Sequence, residues 1–274
     1  MNNLFEQMLS RYPRTNSAEE RNAQYEVLQQ VVLAGLYRAG FFRHAAFYGG
    51  TCLRIFHGLN RFSEDMDFSL LRPDEAFRIE DYFGEIQSLC EAMGRSVEIT
   101  KKDKKGFSHV ESAFLKDTTD VYNVAFQTEK SIRVKIEVDT CPPLLFRTEQ
   151  KLLMNPFSFM TNCMTLSDLY AGKMHALVFR NWKTRVKGRD WYDFEWYVRN
   201  GVRLDWSHLH ERICQFNGED MSWEQFLSLL RERLSTADIQ QVRADVAPFI
   251  IHPQEMDIWS KDYFLQLADM VQFE

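Results

Sequence analysis

Phe47-Tyr48-Gly49-Gly50-Thr51-Cys52-Leu53-Arg54, followed shortly by Arg61-Phe62-Ser63-Glu64-Asp65-Met66-Asp67-Phe68, is the stretch of the 274-residue chain from which its fold is read. Ala45 to Tyr48 reads as a short apolar strand, and the two glycines that break it let the backbone turn tightly and approach a ligand with no Cβ in the way. Thr51 to His57 reads as a short helix. The Gly49 and Gly50 amides then lie at its N-terminus, where free N–H groups and the helix dipole favour an anion such as phosphate. Further on, Asp65 and Asp67 flank Met66, and on a strand both carboxylates face the same way. Adjacent carboxylates repel unless a cation lies between them, and hard oxygen ligands of this kind suit magnesium held together with nucleotide phosphates. A phosphate cradle leading into a metal clamp is the logic of phosphoryl or nucleotidyl transfer.

Gly-Gly-Thr, a short helix and then Arg-Phe-Ser-x-Asp-x-Asp-Phe resembles the signature of the AbiEii/AbiGii-type toxins, within the DNA polymerase β-like nucleotidyltransferase superfamily. The resemblance implies that Gly49, Gly50, Thr51, Arg54 and Ser63 serve nucleotide binding, that Asp65 and Asp67 are catalytic ligands of Mg2+, and that a third carboxylate follows on a later strand. The run Ser131 to Asp139 alternates strictly, with Ile132, Val134, Ile136 and Val138 on one face and Arg133, Lys135, Glu137 and Asp139 on the other. Glu137 best matches the family's third acidic residue, catalytic and metal-binding, with Asp139 on the same face in reserve. Read without the resemblance, the run is an ordinary half-exposed strand with a mixed charged face.

A second, separate match lies downstream. Ser167 is expected to cap a helix on which Leu169, Lys173, Ala176, Leu177 and Arg180 share a face. A lysine on an apolar face either snorkels to solvent or meets a partner. The text from Asp168 to Arg180, followed by Lys187-Gly188-Arg189-Asp190-Trp191-Tyr192-Asp193, again resembles the AbiEii type, in which a helix lysine and an Arg-Asp-x-x-Asp segment complete the active site. On that resemblance Lys173 and Asp190 are catalytic and Arg180, Arg189 and Asp193 bind nucleotide. Lys173 would act as a point charge on the triphosphate. Asp190 is otherwise the N-cap of a helix from Trp191 to Val198, with Asp193 adding charge to its first turn. Lys183, Arg185 and Lys187 either hold the phosphates of the donor or of an RNA acceptor, or form a solvated loop.

The remaining text frames an α+β protein: a small mixed sheet of about five strands with flanking helices, then a C-terminal helical domain, divided as residues 1–155 and 156–274 with the active site completed by the second. A capping box at Ser17-Ala18-Glu19-Glu20 opens an amphipathic helix reaching Gly40, and Asp74 to Gly94 reads as another. Strands are expected over Ser96 to Thr100, Val110 to Leu115 and Val121 to Phe126, an extended excursion over Leu144 to Phe159, and further helices open at Ser222, Asp238 and Ser260. Trp196, Trp206, Trp223 and Trp259 are expected in the core.

The net charge of −6 argues against a surface coated by nucleic acid, leaving local basic clusters at Lys101, Lys102, Lys104 and Lys105 and around Lys183. Five cysteines without C-x-x-C spacing indicate reduced thiols. No apolar run of membrane-spanning length and no signal peptide is read, so a soluble cytoplasmic protein is expected. The resemblance further implies the toxin of a type IV-like toxin–antitoxin or abortive-infection pair, with NTP as donor, tRNA as acceptor and a cognate antitoxin as partner. The alternatives are a nucleotidyltransferase acting on a protein or small molecule, and a non-catalytic nucleotide-binding module.

Overall fold

Five of the expected strands are present in a computed structural model that describes residues 4–101, 119–126, 132–180 and 186–274. They are β1 (Ala45–Tyr48), β2 (Asp65–Leu70), β3 (Val97–Lys101), β4 (Thr119–Phe126) and β5 (Ile132–Asp139). Val110 to Leu115, expected as a strand, lies outside the described residues. The excursion after Leu144 supplies two more strands, β6 (Thr148–Leu153) and β7 (Phe159–Met164), so the sheet has seven among the described residues, in the order β3-β4-β5-β2-β1-β7-β6. It is mixed. β2 runs antiparallel to β1 and parallel to β5, while β1 runs parallel to β7. β6 gives no sequence signal because it is an edge strand whose first four residues, Thr148 to Lys151, are polar, leaving no apolar alternation.

The chain divides into two compact units: Met1–His57, Glu64–Pro142 and Thr148–Cys163 form the first, and Gly58–Ser63, Pro143–Arg147 and Met164–Glu274 the second. The motif Arg61 to Phe68 is thus split at Ser63 and Glu64, one half serving each unit.

In the first unit the described helices are α1 (Leu4–Leu9), α2 (Ser17–Arg38), α3 (Gly49–His57) and α4 (Phe83–Ala92). Asn16, not Ser17, caps α2: its side-chain oxygen accepts from the amides of Ala18 and Glu19 at 3.1 and 2.9 Å. Asparagine caps as well as serine and stands first in the chain. Far from being amphipathic, α2 is buried almost all round from Val27 to Leu36, packing on α4 and β5. Gly35 permits that packing, since a Cβ there would lie 2.7 Å from the Ile86 Cα. α4 is shorter than the expected Asp74 to Gly94 because the Asp74 carboxylate accepts from the Ala76 amide at 3.0 Å, a local turn that competes with helix. On β5, Ile132, Val134, Ile136 and Val138 are all buried as the alternation requires, each contributing about 1.5–3 kcal/mol.

The second unit is helical: α5 (Leu166–Phe179), α6 (Gly188–Arg199), α7 (Trp206–Asn217), α8 (Trp223–Thr236), α9 (Ile239–Val246) and α10 (Lys261–Asp269). α5 packs on α6, α7 and α8, and α6 on α9 and α10. Ser222 and Gln225 close the expected capping box of α8, and Asp238 and Ser260 cap α9 and α10. α5 begins at Leu166, so Thr165 rather than Ser167 stands at its N-cap. Its first turn is tied by Asp168, which accepts from the Thr165 hydroxyl and the Arg147 amide. α7 was not foreseen, although Asp205 caps it and Gly218, left-handed at φ 70°, ends it. Trp259 is buried as expected, whereas Trp196, Trp206 and Trp223 are only half-buried. All five cysteines are free, and no described helix is long and apolar enough to cross a membrane.

Candidate functional site

In the first unit the site residues are gathered by strand register. Gly49 adopts φ +79° and opens α3 two residues earlier than expected, so the Gly49-Gly50 pair forms the helix N-terminus itself. Its missing side chain is required twice over, by the positive φ and by Asp67, whose carboxylate occupies the space a Cβ would take. The Thr51 hydroxyl donates to the Asp65 carbonyl, fastening the first turn of α3 to β2. Asp67 lies beside Tyr48 on one side and Glu137 on the other, and Asp65 lies beside Lys135. With strands about 4.8 Å apart and alternate residues about 6.6 Å apart, Asp65, Asp67, Glu137 and Lys135 share one patch of one sheet face.

The Lys135 ammonium is ion-paired with Glu137. Burial works against its charge, but Glu137, Asp65 and Asp67 outweigh that and hold its pKa above the ordinary lysine value. Asp139, the reserve candidate, lies beside Ser69 and accepts from the Cys141 amide at 3.1 Å, shaping the turn after β5. Arg54 is paired with the buried Glu26 of α2 at 2.6 Å. Three carboxylates on neighbouring strands line one patch of the sheet face, and their oxygens are hard donors of the kind that divalent cations take. Alanine at Gly49 is expected to destabilise by about 1–3 kcal/mol through backbone strain and to push Asp67 off its position. Chemical denaturation combined with a metal titration checks this, and unchanged stability with unchanged metal binding would contradict it.

In the second unit Lys173, Arg180, Asp190 and Asp193 come together, joined by Arg61. Asp190 is not an N-cap: α6 begins at Gly188, and the Asp190 carboxylate lies inside the first turn between Lys173 at 2.8 Å and Arg180 at 3.0 Å. Asp193 lies between Lys173 at 2.8 Å and Arg61, whose guanidinium grips it through two bonds of 2.5 and 2.6 Å. Arg61 is 2% exposed and Asp193 fully buried. Burial pushes both aspartates toward protonation, but Arg180 and Lys173 for Asp190, and Arg61 and Lys173 for Asp193, hold them below the usual carboxylate range. Three cations against two carboxylates leave one positive charge, which suits an anion.

Arg189 stacks over Phe249, 4.4 Å from the ring centroid, and Ser63 is buried where the chain leaves this unit. Lys183, Arg185, Lys102, Lys104 and Lys105 lie outside the described residues. The sequence assigns Arg61 and Lys135 no role, because their partners are set by tertiary contact and strand register. Among the described residues, the group whose metal-ligand atoms all lie within 4.8 Å of one another is His210, Cys214 and Asp220, but Asp220 has a 91% exposed side chain already satisfied by His210 at 2.8 Å.

The family described as nucleotidyl transferase AbiEii toxin, type IV toxin–antitoxin system, matches residues 31–267. The chain belongs to the AbiEii family. Among solved structures, JHP933 from Helicobacter pylori is similar to this AbiEii-family chain at a TM-score of 0.54 and 19% identity, over 92% of this chain and 90% of that one. That likeness bears out the α+β fold. A second H. pylori protein, provisionally assigned as a nucleotidyltransferase, aligns at a TM-score of 0.47 and 19% identity, over 88% of this chain and 92% of that one. No curated protein matches the sequence.

Proposed function

We propose that this AbiEii-family protein transfers a nucleoside monophosphate from an NTP to an RNA acceptor in the cytoplasm, tRNA being the preferred species, and that a cognate antitoxin restrains it. The observation that supports the transfer chemistry most is the side-by-side register of Asp65, Asp67 and Glu137 next to the Gly49 turn. Those carboxylates would hold Mg2+, which would supply charge neutralisation at the triphosphate and lower the pKa of the attacking hydroxyl. The Gly49 and Gly50 amides at the start of α3 donate to phosphate oxygens. Lys173, with Arg180 beside it, contributes fixed positive charge toward the phosphates, and Arg189 adds to it. The acceptor hydroxyl gives up its proton to solvent as its oxygen forms a bond to the α-phosphorus, the bond from that phosphorus to the bridging oxygen breaks, and pyrophosphate leaves.

The test is incubation of the purified chain and Mg2+ with each α-labelled NTP and either total RNA or total protein. Label in the RNA fraction, concentrated in tRNA, is the expected result. Label confined to protein would replace the acceptor, a reading that the net charge of −6 favours. No transfer from any NTP to either fraction would leave a nucleotide-binding module.

A further inference from the structure

Resting on that reading, we infer that Lys135 is a built-in counter-cation of the Asp65, Asp67 and Glu137 patch, whose ammonium makes binding of the divalent ion conditional on nucleotide. The parallel register of β2 and β5 sets Lys135 beside Asp65 and Glu137 beside Asp67, on one face. The Lys135 ammonium is ion-paired with Glu137, with side chains only 24% and 20% exposed, so the pair is shielded from solvent screening.

Two consequences follow from this placement. The patch carries two net negative charges instead of three, and a divalent ion that needs a Glu137 oxygen must compete with the ammonium for it. A free ion offers nothing in return for the displaced lysine. An ion arriving with a triphosphate does, because the lysine stem is flexible and its three N–H donors find new acceptors in the phosphate oxygens. Metal and nucleotide are then coupled, and by linkage each raises the affinity of the other by the same factor. A purely structural lysine, there only to hold β5 in register, would create no such coupling.

The experiment uses Mn2+, which shares the oxygen-rich octahedral preference of Mg2+, and follows free Mn2+ by electron paramagnetic resonance with the full-length chain. Titrations are run with and without a non-hydrolysable NTP analogue. Wild type is expected to bind free Mn2+ weakly and to gain affinity with the analogue. Lys135→Met is expected to bind free Mn2+ roughly tenfold more tightly, within the usual range of coupling between sites, and to gain less from the analogue. Lys135→Arg is expected to stay close to wild type. If Lys135→Met leaves free Mn2+ affinity unchanged or weakens it while Asp67→Asn abolishes binding, the metal site stands and the role given to Lys135 is wrong. If Mn2+ binds to neither wild type nor Lys135→Met with or without the analogue, the metal site itself falls and the inference with it. Should the methionine variant fail to fold, Lys135→Gln reads the same quantity.

Discussion

Arg61→Met is expected to lower the free energy of unfolding by about 3–5 kcal/mol, the usual cost of removing one partner from a buried ion pair. The loss has little to do with the arginine's own packing, which methionine partly replaces. Asp193 is fully buried, and without the guanidinium its remaining ion-pair partner is Lys173, which it shares with Asp190. Urea unfolding of the variant measures the effect. Arg61→Met combined with Asp193→Asn should recover part of the loss, because the uncompensated charge is then gone. The pair also fixes a pH dependence. The carboxyl of Asp193 is held below its unfolded value of about 3.9, so its stabilising contribution is fully present above that pH and disappears as the pH falls through the depressed native value. In Arg61→Met the acid limb of the stability curve should therefore be shallower. A loss under 0.5 kcal/mol, the ordinary range for surface changes, would mean that the cluster is not held by this pair.

Asp67→Asn is expected to have the largest effect on chemistry, reducing nucleotide transfer by about 10²–10³ or more, as removal of a central charge-stabilising group commonly does. Asparagine keeps the shape that fills the space beside Gly49 but removes the charge from the middle of the three carboxylates. Stability should hold or rise, since repulsion from Asp65 and Glu137 is relieved. The joint measurement of labelled-NTP transfer and thermal midpoint separates the outcomes. Transfer within a few-fold of wild type would remove Asp67 from the reaction, and a steep fall in the midpoint would make any loss of transfer a folding effect.

The centre of the sheet was legible because its signals are local. Alternation in Ile132 to Asp139 fixes which face is buried, and the glycine pair after Tyr48 fixes where the chain turns. The alternation placed Lys135 and Glu137 on one face and the family resemblance set Glu137 with Asp65 and Asp67, but only the pairing of β2 with β5 brings all four side by side. In the helical unit the sequence flagged Lys173 as a charge on an apolar face without naming its partners. For Asp190 the neighbouring residues alone offer an N-cap and only the family resemblance sets it with Lys173, whereas its position is decided by Lys173 and Arg180. Arg61 was invisible for the same reason: its partner lies 132 residues away. β6 escaped because an exposed polar edge strand has no periodicity to display.

The interleaving of the two units has a bearing on how the protein is made. Gly58–Ser63 leaves the ribosome early, yet the unit to which it belongs is otherwise drawn almost wholly from Met164 onward. A growing chain carries Asp65, Asp67 and Glu137 well before Lys173, Asp190 and Asp193 exist, and Arg61 must wait for its carboxylate across a separation of 132 residues. Closing so long a loop adds entropy cost and slows folding. A translation product that stops before Met164 therefore carries Arg61 but none of its partners in the charge cluster. No single cut in the gene yields the helical unit with Arg61 attached and free of the first unit's residues.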